Sequence, residues 1–261
     1  MQEANRDLKM DIIDRVHKAF LLSKNLAHST WDPVFVFENI KLAHQYLEHK
    51  NNYKELLNNL GQGSNINTLQ PILEKDHTTD ISGDQFFLAK GLNLSPHFEI
   101  NKSKHDMYNF LEKLKDTILA YTNLDLSNLI SNNCFNAFGN HLADQKILLP
   151  IMCKLAYNMH VIKNILETEH NKEIIILEIG AGIGSLPLLC LNNIPNVSYI
   201  IVDIPHTSVI ASYFLHENLK NICLYGEYQD LSIETIKKYD CLIIPSEDIK
   251  KIPNKSIDLV V

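Results

Sequence analysis

The chain has 261 residues, a formal net charge of −7 and a pI near 5.9. A hydrophobic fraction of 45% with 21% charged residues excludes global disorder. The acidic balance argues against a nucleic-acid partner, whose phosphates would need clustered Lys and Arg, and no stretch approaches the roughly 20 apolar residues of a membrane span.

The first 170 residues read as mostly helical. Ile12, Val16 and Phe20 recur at helical spacing between charged residues, which predicts a first helix. A second is expected after Trp31-Asp32-Pro33, where Asp32 suits a cap and Pro33 the first turn. Residues 51–67, rich in Asn and Gly, are expected to form a short helix ending in a loop, and 76–84 are another polar break. Met107, Phe110, Leu111, Leu114 and Ile118 line one face of a helix expected to start near Ser103, with Ser103 and Asp106 as a capping pair. From His141 to Glu167 the pattern is again helical, broken by Pro150, which predicts a kink or two helices.

Near residue 171 the pattern changes. EIIILEIG (173–180), SYIIVDIP (198–205), YDCLIIPS (239–246) and SIDLVV (256–261) are short apolar runs rich in β-branched residues, as strands buried on both faces require. Helix-compatible segments separate them at 185–193, 206–220 and 231–239. The alternation predicts an α/β fold with a parallel, doubly wound, Rossmann-like sheet. ICLYGE (222–227) has the composition of a further short strand but no evident place in that sheet. We divide the chain into a helical N-terminal cap or substrate region, 1–135, and a nucleotide-binding α/β domain, 136–261.

The segment that carries chemistry is LEIGAGIGSLP (177–187), at the end of one expected strand and the start of the next helix. Alternating glycines at 180, 182 and 184 allow a sharp turn and close approach of the backbone to a ligand. A dinucleotide fingerprint, GxGxxG, would place its third glycine where Ser185 stands. Glu178 precedes the first glycine by two residues, where a carboxylate favours a cationic amino-acid moiety over a pyrophosphate. Asp203 follows Gly184 by 19 residues, at the end of the next strand, and suits ribose hydroxyls in either cofactor class. As an alternative, Asp203 caps the helix that follows. Ser246, Glu247 and Asp248 end the third strand, where a polar group could meet adenine or form a solvated turn.

EIGAGIG, then VDIP, then IDLVV together resemble motifs I, II and IV of class I S-adenosylmethionine-dependent methyltransferases. The longer run VDIPHTSVIASYFLHENLKNICLYGE resembles the bacterial putative sugar O-methyltransferase family, over roughly residues 135–261. The resemblance implies S-adenosylmethionine as cofactor, held by Glu178, Gly180, Ala181, Gly182, Gly184, Asp203, Ser246, Glu247 and Asp248. It implies methyl transfer to a sugar hydroxyl of a nucleotide sugar or surface glycan, in bacterial glycan biosynthesis. In that family further strands follow the one corresponding to 256–261, so the chain is expected to be cut short after its fourth strand, and to continue or associate, for example as a homo-oligomer.

No catalytic base is identifiable. His206 and His141 are candidates that also suit ordinary surface or capping roles. No HExxH or clustered His/Asp metal motif occurs, and no metal is expected. Tyr213 and Phe214 belong either to an acceptor pocket or, more in keeping with their spacing, to the core. The five cysteines (Cys134, Cys153, Cys190, Cys223, Cys241) are odd in number and contain no CxxC, and read as reduced, mostly buried thiols. With the polar N-terminus MQEANRDLKM, which lacks the apolar core of a secretory signal, they suggest a cytoplasmic protein. The competing readings are an NAD(P)-dependent oxidoreductase, and a truncated non-catalytic cofactor-binding module or partner subunit.

Overall fold

The computed structural model describes residues 11–24, 26, 113, 116–123, 139–142, 145–148, 150–166 and 172–261. The helix expected after Trp31-Asp32-Pro33, the short helix and loop at 51–67, the polar break at 76–84, and the helix start near Ser103 lie outside them, as does Cys134. The chain forms two compact units.

One unit is built on a parallel sheet of five strands. These are β3 (Ile174–Ile179), β4 (Val197–Val202), β5 (Ile222–Cys223), β6 (Cys241–Ile244) and β7 (Leu259–Val260), in the order β5-β6-β4-β3-β7. The four expected strands therefore lie third, second, first, fourth, and ICLYGE finds its place as the short edge strand β5. The α/β architecture with a parallel sheet is the one the alternation of strands and helices predicted, and it is compatible with a Rossmann-like fold. The expected helix at 231–239 is a single turn, Ile233–Ile236, because Ser232 caps it through the Thr235 amide and the chain reaches β6 five residues later.

The strands are apolar on both faces because both are covered. Ile175, Leu177, Ile200, Val202, Leu242 and Ile244 alternate onto one face and form a single buried cluster with Leu231 and Ile236. The opposite face carries Ile174, Ile176, Tyr199, Ile201 and Cys241, also buried. Asp258 fixes the start of β7. Its Oδ2 accepts from the Ile175 amide at 2.8 Å, and its own amide donates to the Ile175 carbonyl at 2.9 Å.

Two longer helices of this unit lie beside the sheet. α1 (Ile12–Ser23) buries Ile12, Val16 and Phe20, the stripe read from the sequence, and packs on α4 (Pro205–Asn218). In α4 residues 211–215 are all buried, so Tyr213 and Phe214, each 1% exposed, are core and line no acceptor pocket. Cys190, Cys223 and Cys241 are free, buried thiols.

The second unit holds a helical segment, 116–122, a two-stranded hairpin and two packed helices, α2 (Pro150–Leu166) and α3 (Ser185–Asn193). The hairpin pairs β1 (Gly139–Leu142) antiparallel with β2 (Gln145–Leu148). This corrects the helical reading of the region from His141. Pro150 does not kink a helix; it opens one, at the position where a missing amide costs nothing. The described residues before it, 139–142 and 145–148, are strand instead.

Candidate functional site

The strand order reverses around β3: the chain moves from β3 to β4 on one side and returns to β7 on the other. In open parallel sheets a ligand binds at the carboxyl ends of the strands flanking such a reversal. Here those ends are held level. The Gly180 amide donates to the Val202 carbonyl (2.9 Å), the Asp203 amide to the Ile244 carbonyl (3.3 Å) and the Ile179 amide to the Val261 carbonyl (3.2 Å).

The glycine run 180–184 leaves β3 at this level and leads the chain into α3 at Ser185. Gly180, Gly182 and Gly184 all have positive φ (+82°, +59° and +87°), in the left-handed region that side chains disfavour. Gly184 is also crowded. A Cβ there would lie 3.0 Å from both Cγ and Cδ1 of Leu215, whereas one at Gly180 or Gly182 would meet nothing within 4 Å. The third glycine thus serves packing against α4, and the first two keep the loop bare. The half-buried Ala181 closes the turn by accepting from the Gly184 amide at 3.0 Å.

Asp203 joins the loop to the next strand. Its Oδ2 accepts from the Gly182 amide at 3.1 Å, and its Oδ1 from the adjoining Ile204 amide at 2.7 Å. The helix-cap alternative falls, because the cap position of α4 is Ile204 and no side chain caps it. With one amide on each oxygen, Asp203 keeps acceptor capacity for a ligand. Burial pushes its pKa up to about 6, against the pull of the two amides.

Glu178 is half-buried on the face shared by Tyr199, whose hydroxyl donates to Glu178 Oε2 at 2.9 Å. Tyr199 pairs with Ile176 across the sheet, so it stands diagonally next to Glu178. Burial pushes the Glu178 pKa up to about 7; the Tyr199 bond opposes this and the nearby Asp203 charge adds to it. A cation here would relieve the burial that penalises both ionised carboxylates and the Asp203 charge that adds to the cost at Glu178.

Ser246, Glu247 and Asp248 open a 3-10 helix, Ser246–Lys251, directly after β6. They divide by role. Asp248 is 3% exposed, and its Oδ2 accepts from the Tyr228 hydroxyl at 2.7 Å while its Oδ1 pairs with Lys251 at 2.7 Å. It is a structural anchor for this turn, which the sequence reading missed. Ser246 is exposed and Glu247 half-buried, and the Ser246 hydroxyl donates to Glu247 Oε2 at 3.1 Å. These two remain available to a ligand.

His206 is the second residue of α4 and His141 lies in β1; their side chains lie outside what the structure describes. Among the described residues no three His, Cys, Asp or Glu side chains gather as a metal site, and no helix is long and apolar enough to cross a membrane.

The residues that sequence reasoning missed are partners of those it found. Tyr199 holds Glu178, Tyr228 holds Asp248, and Arg15 holds Glu227 of the Tyr-Gly-Glu segment. Only the strand register, two residues from Tyr199 to the diagonal of Glu178, would have signalled the first. No protein-family model, curated protein or solved structure matches the chain.

Proposed function

We propose that the chain binds S-adenosylmethionine and transfers its methyl group to a hydroxyl of a sugar, in a nucleotide sugar or glycan. The observation that carries the cofactor is the pairing of Glu178 and Asp203 at one sheet end, with Asp203 bonded to the Gly182 amide of a bare glycine loop. A sulfonium bearing an ammonium group is stabilised by two carboxylates, whereas a dinucleotide's pyrophosphate is repelled by them. Asp203 would accept the ribose hydroxyls with its remaining lone pairs, and Glu178 would face the amino-acid end. The spacing of the three glycines, one residue short of the dinucleotide pattern, supports the same choice.

The sugar acceptor rests on the motif resemblance alone. Transfer requires the acceptor oxygen in line with the methyl carbon and sulfur, and removal of the hydroxyl proton. Radiolabelled methyl transfer from S-adenosylmethionine to a panel of nucleotide sugars and bacterial glycans tests the activity. Label in a sugar product supports it. Cofactor binding with no transfer to any acceptor would favour the non-catalytic binding module.

A further inference from the structure

α1 packs on α4 beside the carboxyl ends of β4 and β6, and Asp203 stands at the seam between the two helices. Phe20 and Ser23 of α1, Val209 and Ser212 of α4, and Pro245 after β6 line that seam with it. The seam has room for about one or two water molecules. While α1 is docked, this flank of the carboxylate therefore admits nothing larger than water, although Asp203 keeps lone pairs that its two amides do not use.

The polar hold on α1 is concentrated at one place. Arg15 Nε and Nη2 donate to the two Glu227 oxygens at 2.6 and 2.8 Å, and Nη2 also reaches the Ile222 carbonyl at 2.9 Å. Glu227 Oε2 in turn accepts from the Leu224 amide at 2.8 Å. Next to it, Leu22 of α1 sits so close to Gly226 that a Cβ there would stand 2.5 Å from Leu22 Cδ1. The Tyr-Gly-Glu segment is thus the seat of α1, with Glu227 as its latch. The two side chains of the latch are 22% and 26% exposed, so dissolved salt can reach and screen them.

The apolar hold is a single row, Ile12, Val16 and Phe20, while Leu21 and Leu22 stay largely exposed. A helix of 12 residues is marginal on its own in water, so the order of α1 depends on its docking. Undocking and melting are then one local opening that leaves the sheet intact. That opening uncovers Ser212, which is 3% exposed in the closed seam, together with the covered flank of Asp203.

We propose that α1 is an autoinhibitory strap, latched by Arg15 on Glu227, and that its release admits ligand to the covered flank of Asp203. The inference rests on the reading of Asp203 as a ligand-binding carboxylate and adds to it a means of control. A ligand that needs this flank binds the open form, so its apparent affinity scales with the open fraction. Loosening the latch therefore strengthens binding, the opposite of what loss of a pocket wall would do.

The test needs one readout without ligand and one with it. Ser212→Cys in the full chain places a thiol in the seam, and its labelling by a maleimide, mapped by mass spectrometry, reports opening. Adding Arg15→Gln or Glu227→Gln should speed that labelling at least about tenfold. Added NaCl should speed it in the chain with the latch intact and much less in the latch variants. The buried native Cys241 of β6 should label no faster in any of these, which separates strap opening from global unfolding. In calorimetry, Glu227→Gln should bind S-adenosylhomocysteine severalfold more tightly than wild type. If neither latch variant folds, the salt response of Ser212→Cys decides. Labelling at 212 that ignores both latch and salt would overturn the latch, and a parallel rise at Cys241 would overturn the strap. Faster labelling with unchanged or weaker S-adenosylhomocysteine binding would overturn the inhibitory role. Latch-dependent labelling with no binding in any variant would uphold the strap and overturn the cofactor reading.

Discussion

The two carboxylates Glu178 and Asp203 combine burial with proximity, and their behaviour with pH follows. Folding raises their pKa values to about 7 and about 6 from ordinary values of 4.5 and 3.8. A carboxylate raised in the folded state contributes stability that is full below the unfolded value and lost as pH rises through the folded one. The ligand-free wild type should therefore lose Tm between pH 5 and pH 8 relative to a Glu178→Gln/Asp203→Asn variant. Binding of S-adenosylmethionine should strengthen over the same interval, because its positive charge favours the ionised pair. Tyr199→Phe removes the bond that lowers the Glu178 pKa, so the midpoint of that binding curve should move to higher pH. Asp203→Ala should weaken the cofactor by about 1–3 kcal/mol, through lost charged hydrogen bonds, and unchanged affinity would confine Asp203 to tethering the loop. The glycines separate by cost. Gly180→Ala suffers only its left-handed φ, about 1–2 kcal/mol, whereas Gly184→Ala adds the collision with Leu215 and should cost about 2–4 kcal/mol in urea unfolding.

At the scale of elements, α1 belongs with the sheet rather than with a separate helical region. Ile12, Val16 and Phe20 were legible as a stripe from their spacing, but their destination was not. It is set by Arg15 meeting Glu227 and Leu22 meeting Gly226, more than 200 residues away in sequence. Gly226→Ala should therefore destabilise the fold by about 1–2 kcal/mol, through its left-handed φ of +85° and the displacement of Leu22 Cδ1, read as a fall in Tm. The strands β3, β4 and β6 were legible because each is a short, continuous apolar run, and burial on both faces leaves no other pattern. β5 was not placed, since a two-residue edge strand leaves too little pattern to align. The hairpin β1–β2 was missed because its period over four-residue strands is weak and Pro150 imitates a helix interruption until its place at a helix start is seen. The loop was read correctly as a turn from its glycines, whereas the division of labour among them depended on Leu215.

At the scale of the whole molecule, two acids among the described residues, Glu178 and Asp203, stand at one sheet end. Asp248 shows why charge alone misleads: its sequence neighbours suggest a polar patch, but Tyr228 and Lys251 absorb it into the structure. Glu178 and Asp203 keep capacity for a ligand, and the account depends on what fills it. Calorimetric titration of the full chain at pH 7.5 with S-adenosylhomocysteine and, separately, with NADH tests this most directly. The account predicts saturable binding of S-adenosylhomocysteine, weakened at least about fivefold in Asp203→Ala, and no binding of NADH. Binding of NADH without binding of S-adenosylhomocysteine would contradict it.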